Sequence, residues 1–310
     1  MKNIIIYTHM QNFSFVDGGT VVEYYLAKLL DELGRTVRIY PSSGIKTDNS
    51  IFSKFYKNDF PIDDNAVVIY CEGTQGNPLN AKNVVRWLLS EMGKNVPYDW
   101  VNGWGKNELV YFFNYDKIFS NNEAMIGTKY KLLTSIYINP LIKNYNDPIR
   151  KGYCHTFRKS FYHKTLRYAH PPNSLEIKRE HKLIDCINIF NKREIFICYD
   201  PLTFLNIIAA LCGCISVVIK LDGISTQADW LKTTGVASYV KFKGIERLYG
   251  IAYGIGEIGW AKETQHLVSQ QWVDILEYCK TQTIIPFLKD IEDLNNLENA
   301  ENTIQKIFFS

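Results

Sequence analysis

Apolar residues along this chain fall into short unbroken runs separated by stripes at helical spacing, and the alternation recurs from end to end. Ile4 to Tyr7 is a continuous apolar run, the pattern of a strand covered on both faces. A polar loop spans Thr8 to Gly19; then Val22, Tyr25, Leu26, Leu29, Leu30 and Leu33 recur at helical spacing up to Gly34, which stops the helix. Val37 to Tyr40 reads as the next strand, completing a βαβ unit. Ala66 to Tyr70 is a further buried strand. Asn77-Pro78 predicts a helix start, with asparagine as cap and proline at the first helical position. Ala81, Val84, Val85, Leu88 and Leu89 would form its apolar stripe. Shorter strands are expected at Leu109 to Phe112 and Lys117 to Phe119. Asn139 to Asp147, with Pro140 and several asparagines, reads as a connection.

The second half repeats the alternation. Tyr153 to Phe157, Leu166 to Ala169, Ile195 to Cys198 and Ile215 to Ile219 read as strands, and Leu183 to Phe190 as a helix. Asp200-Pro201-Leu202-Thr203 predicts another helix start, with Asp200 as cap, and Gly213 its end. That helix is apolar nearly all round and is expected to be buried. A final helix is expected from about Leu288 to Phe309. The predicted fold class is α/β, with two doubly wound, Rossmann-like lobes facing a cleft. The expected division is residues 1–147 for the first lobe and 148–287 for the second, with 288–310 packing back on the first.

Length agrees with two domains, since 310 residues exceed one typical domain. A net charge of +3 is too near neutral to argue for a nucleic-acid or membrane-surface partner. No run approaches the roughly 20 apolar residues of a membrane-spanning helix, and residues 2–7 are too short for a secretory h-region. Seven cysteines lie in no paired C-x-x-C pattern, which predicts reduced thiols and a cytoplasmic location.

Four places carry candidate chemistry. Asp17-Gly18-Gly19 enters the first helix, where glycine admits a ligand to the backbone and a helix start favours an anion; a tight turn is the plainer reading. Arg158-Lys159 follows a strand end and could hold a diphosphate, although such pairs are often only solvated. Tyr199-Asp200-Pro201-Leu202-Thr203 lies between a buried strand and a buried helix. Thr203 and the free amides there could hold a phosphate, and a cap alone would explain Asp200. Glu72 lies just past a buried strand and could bind a sugar hydroxyl or act as base, or be a loop charge. His9 follows the first strand and His155 sits within another. No H-x-x-x-H, carboxylate cluster or D-x-D predicts a metal site.

Phe196 to Val218 resembles the donor-site strand–helix–strand of GT-B glycosyltransferases. In that superfamily the helix carries a Glu-x7-Glu pattern and ends in an Ala-x-Gly-x-Pro-Val-Val run. Aligning Cys212-Gly213-Cys214 with that end puts Asp200 on the first acidic position and Ile208 on the second, where the carboxylate that usually holds the ribose is lost. Gly76 to Leu89, Arg158-Lys159, His170-Pro171, Tyr199 to Thr203 and Gly250 to Gly254 are similar to a subgroup found in bacteria and large DNA viruses. The resemblance implies transfer of a sugar from a nucleotide diphosphate sugar to a glycan or glycoconjugate acceptor, without a bound metal or further cofactor. Gly18, Gly19, Arg158, Lys159 and Thr203 would hold the donor phosphates. Tyr199, Asp200 and Pro201 would complete the donor site, and Glu72 would serve catalysis. The competing expectation is a two-lobed protein that binds a sugar or nucleotide sugar without turning it over. An NAD-type oxidoreductase is disfavoured, because Gly18-Gly19 lacks the third glycine of the dinucleotide fingerprint.

Overall fold

Two parallel five-stranded sheets organise the chain, which is described from a computed structural model. The structure describes residues 2–8, 18–41, 52–56, 62–90, 92–93, 96–105, 108–114, 131–157, 163 and 168–294. Contacts divide the chain into two compact units, Met1–Tyr137 with Tyr278–Ser310, and Ile138–Glu277.

In the first unit β1 (Ile4–Thr8) is followed by α1 (Gly18–Glu32), β2 (Val37–Pro41), β3 (Val67–Cys71), β4 (Asn83–Leu88) and β5 (Leu109–Phe112). The sheet order is β2-β1-β3-β4-β5, all parallel. Alternation along the strands fills both faces. Ile4 and Ile6 pack with Val67, Ile69, Leu26 and Leu30, and with Ile284, Phe287, Leu288 and Ile291 from the end of the chain. Ile5 and Tyr7 pack on the other face with Val68, Tyr70 and Val84. Helical residues 285–294 thus complete the first core, and positions 295–310 of the expected final helix lie outside the described residues.

The expected helix after Asn77-Pro78 is a strand. Asn83–Leu88 is β4, paired with β3 and β5 and buried throughout. A strand covered on both faces has no period of its own, so its apolar positions also fit a helical stripe. Asn77 does not cap a helix. Its side-chain oxygen accepts from Ala81 N–H at 3.0 Å and from Tyr70 O–H at 2.8 Å, building the turn that feeds β4. The polar members of β4 are satisfied internally. Arg86 donates to Glu108 at 2.6 and 3.0 Å and to the Gly76 carbonyl at 2.7 Å, while Asn83 donates to the Asp64 carbonyl at 2.9 Å.

The second unit holds β6 (Tyr153–Thr156), β7 (Leu175–Glu176), α2 (Leu183–Lys192), β8 (Ile195–Cys198), α3 (Leu205–Leu211), β9 (Ile215–Val218), α4 (Gln227–Leu231), α5 (Ala237–Lys243), β10 (Ile251–Tyr253), α6 (Ile258–Thr264) and α7, which begins at Val268 and leads back toward the first unit. Its sheet order is β7-β6-β8-β9-β10. Residues 138–147 belong to this unit. Tyr145 N–H donates to Asn191 at 2.7 Å, and Arg150 donates to Asn144 at 2.6 Å and to the Cys212 carbonyl at 2.7 Å. Tyr168 and Ala169 are not in a strand, and Leu166 and Lys117 to Phe119 lie outside the described residues. Among the described residues no helix is long and apolar enough to cross a membrane.

Candidate functional site

Both sheets share one strand order, with the first strand between the second and the third. The chain therefore winds one way from the first strand and the other way from the third, and such a reversal opens a crevice at the carboxyl ends of those two strands. In the first unit these ends are Thr8 of β1 and Cys71-Glu72 of β3. In the second they are Thr156-Phe157 after β6 and Tyr199-Asp200 after β8. Each reversal carries a polar cluster.

In the first unit, Thr8 Oγ1 donates to Glu23 Oε2 at 2.6 Å, and Glu72 Oε2 accepts from Leu89 N–H at 2.8 Å. Both carboxyls are buried, Glu23 at 4% exposure and Glu72 at 8%. Burial lifts Glu23 to about 8; the Thr8 and Cys71 side chains oppose the rise, and the neighbouring Glu72 charge adds to it. Burial also raises Glu72, against the backbone N–H groups of Leu89 and Ser90. Cys71 is pushed up by burial and by both carboxylates. Glu72 is therefore not a solvated loop charge; it is tied across to the end of β4.

Glu23 is absent from the chemistry read in the sequence. Its signal is position: it lies among Val21, Val22, Tyr24, Tyr25 and Leu26 on a helix buried along most of this stretch, where a lone carboxylate calls for a reason. Gly18 and Gly19 are the first residues of α1. A Cβ on Gly19 would meet Leu89 Cδ1 at 3.9 Å, an ordinary contact, so packing does not demand glycine there. Asp17 and His9 lie outside the described residues.

In the second unit the reversal is walled by rings. His155 stacks on His170 with centroids 3.7 Å apart, and Phe157 stacks on Tyr199 at 4.6 Å. The Tyr199 hydroxyl accepts from Ala169 N–H at 2.6 Å and lies 2.9 Å from His170 Nδ1. His163 Nε2 lies 3.0 Å from the Tyr199 carbonyl, and His155 Nδ1 lies 2.9 Å from Ser174 Oγ. Burial holds both stacked histidines below the usual histidine value, and His170 lowers His155 further. Tyr199 is thus at the centre of the cluster, whereas His163 and Ser174 were not singled out in the sequence.

The Asp200-to-Thr203 segment departs from expectation. The helix starts at Leu205, and Asp200 is not its cap. Asp200 Oδ1 instead accepts from Leu202 N–H at 3.3 Å, a local turn, and Thr203 Oγ1 accepts from Leu205 N–H at 3.4 Å. Pro201 is held by Trp230, whose indole N–H donates to its carbonyl at 2.9 Å. Ile208 is core, and the buried polar residue of α3 is Asn206, which accepts from Ser216 O–H at 3.0 Å. Arg158 and Lys159 lie outside the described residues. Among the described residues no group of three or more metal-ligating side chains converges. No protein-family model matches the chain, and no curated protein matches it.

Proposed function

We propose that this chain is a nucleotide-sugar-dependent glycosyltransferase of GT-B architecture acting in the cytoplasm. The observation that carries the reading is the pair of polar clusters, one at the reversal of each doubly wound sheet, with different chemistry: carboxyls in the first unit, imidazoles and a phenol in the second. The resemblance of Phe196 to Val218 to a donor-site segment supports the same assignment.

In this scheme the second unit takes the donor and the first unit takes the acceptor. Arg158 and Lys159 stabilise the charge that grows on the leaving diphosphate, with Gly18 and Gly19 as further phosphate contacts. Thr203 offers its hydroxyl, and Tyr199, Asp200 and Pro201 shape the donor side. On an inverting route Glu72 takes the acceptor hydroxyl proton. The acceptor oxygen then bonds to the anomeric carbon as the bond to the diphosphate oxygen breaks. Its raised proton affinity suits that role, since a base works best near the operating pH. A retaining route would leave Glu72 as an acceptor clamp.

The test is a panel of uridine, guanosine and adenosine diphosphate sugars, scored for thermal stabilisation and for slow release of nucleoside diphosphate. Stabilisation with release supports a transferase. Stabilisation without release, with any acceptor mixture, converts the reading to a binding protein; no stabilisation by any member refutes it.

A further inference from the structure

The His170 ring is packed among the rings of His155, Phe157, Tyr168 and Tyr199. His155 covers one face at 3.7 Å, and the Phe157 and Tyr199 rings meet it edge-on at 5.4 and 5.6 Å. Nδ1 faces the Tyr199 hydroxyl at 2.9 Å. That hydroxyl accepts from Ala169 N–H at 2.6 Å, and the His170 backbone N–H also favours its ionised form. With its lone pairs so engaged and the tyrosine buried, the phenol proton has one acceptor in reach among the described residues, His170 Nδ1. Neutral His170 must then carry its proton on Nε2, and Nε2 makes no hydrogen bond among the described residues.

We propose that His170 is an anion-binding residue, whose Nε2–H, oriented by Tyr199, donates to a phosphate oxygen of the ligand taken at the β6/β8 reversal. An N–H that can only donate selects a ligand atom that can only accept, and an ionised phosphate oxygen meets that condition. Phe157, in contact with the imidazole, is followed directly in sequence by the cations Arg158 and Lys159. Burial lowers the proton affinity of His170, against the pull of Glu176, and so favours its neutral, donating form. Tyr199 is a positioning residue in this arrangement. The identity of the ligand as a nucleotide diphosphate rests on the transferase reading; the anion site itself does not.

The experiment uses the full chain with ¹⁵N-labelled histidine and inorganic pyrophosphate as probe. Long-range ¹H–¹⁵N spectra should show His170 as the Nε2–H form, and pyrophosphate should shift its Nε2 signal. H170A should weaken pyrophosphate binding by roughly ten- to a hundredfold, the range for one charge-assisted hydrogen bond, while H170Q, which keeps an N–H near the same place, should retain most of it. Y199F should release the tautomer and mix the two forms. An Nδ1–H form in the wild-type chain, pyrophosphate binding that leaves His170 unmoved, or no pyrophosphate binding overturns the proposal. A His170 response in a chain that neither binds nor turns over any nucleotide sugar upholds this site and sinks the transferase reading; turnover with His170 unmoved does the reverse.

Discussion

Replacing Glu23 with glutamine should make the chain more stable at alkaline pH, although it removes a charge from a hydrogen-bonded pair. Glu23 ionises near 8 in the folded chain against 4.5 for the free side chain. Below the unfolded value both states hold the proton and the stability is complete. As pH rises through that window the folded state keeps a proton that the unfolded state has lost, so stability falls until the folded group ionises too. The gap from 4.5 to about 8 corresponds to roughly 5 kcal/mol lost by pH 9, an upper figure because water entry and local relaxation would reduce it. Glutamine keeps a carbonyl oxygen to accept from Thr8 O–H, and its amide replaces the acid proton. Glu23→Gln should therefore match the wild type within about 1 kcal/mol at pH 5 and exceed it by several kcal/mol at pH 9. Urea unfolding at intervals from pH 5 to 9 measures the difference. Trp87, Trp100 and Trp104 report on the first unit. Two stability curves that run parallel across this range would refute the buried, protonated Glu23.

Glu72→Gln should lower kcat by about 10²–10⁴-fold on an inverting route, the usual worth of a base, with donor affinity unchanged; a wild-type rate in a transfer assay would remove it from catalysis. The same variant takes away the neighbouring charge that raises Glu23, so the alkaline stability loss should be smaller and level off at lower pH, which the urea series would also read. Arg158→Ala should weaken nucleoside diphosphate binding by about 1.5–3 kcal/mol by calorimetry. Arg86→Ala should cost about 3–5 kcal/mol in thermal or urea unfolding, because Glu108 would be left half-buried without its cation. Transfer should persist in EDTA, since the chain carries no D-x-D; a loss of transfer restored by Mg²⁺ or Mn²⁺ would relocate the donor site.

Strands buried on both faces were legible where they were short and bounded by turn residues. Ile195 to Cys198 is a strand with the expected ends, and β1, β2 and β3 differ from expectation by a residue or so. β4 was not legible, and the reason is physical. Asn83 and Arg86 interrupt its apolar run, and their partners are the Asp64 and Gly76 carbonyls and the Glu108 carboxylate, which the fold alone brings near. Before those partners are known, a polar residue every third position reads as the outer face of a helix. The turn at Asn77 deepens the ambiguity, because an asparagine that builds a turn and one that caps a helix use the same side-chain oxygen. Asp200 repeats this: the carboxylate bonds two residues on, and α3 begins four residues later than the Asp-Pro pair suggests.

The candidate sites divide along the same line. Glu72 and Tyr199 were visible because each directly follows a strand or comes one residue beyond it, and position along the chain is all that a strand end requires. Glu23 and His170 depend on which strands are neighbours. Glu23 leaves α1 at a point that matters only because β1 lies beside β3, so that Thr8 and Glu72 border one crevice. His170 matters only because β6 lies beside β8, so that Tyr199 can reach back to it. Once the shared strand order is known, the first and third strands of each sheet define where to look, and the residues that answer come from elements that no local pattern links to those strands. A carboxyl on the apolar face of α1 and a histidine pinned by a tyrosine 29 residues away are then not exceptions to the packing. Glu23 is the group whose burial costs stability, and its pH series measures that cost, while the histidine spectra test how Tyr199 orients His170.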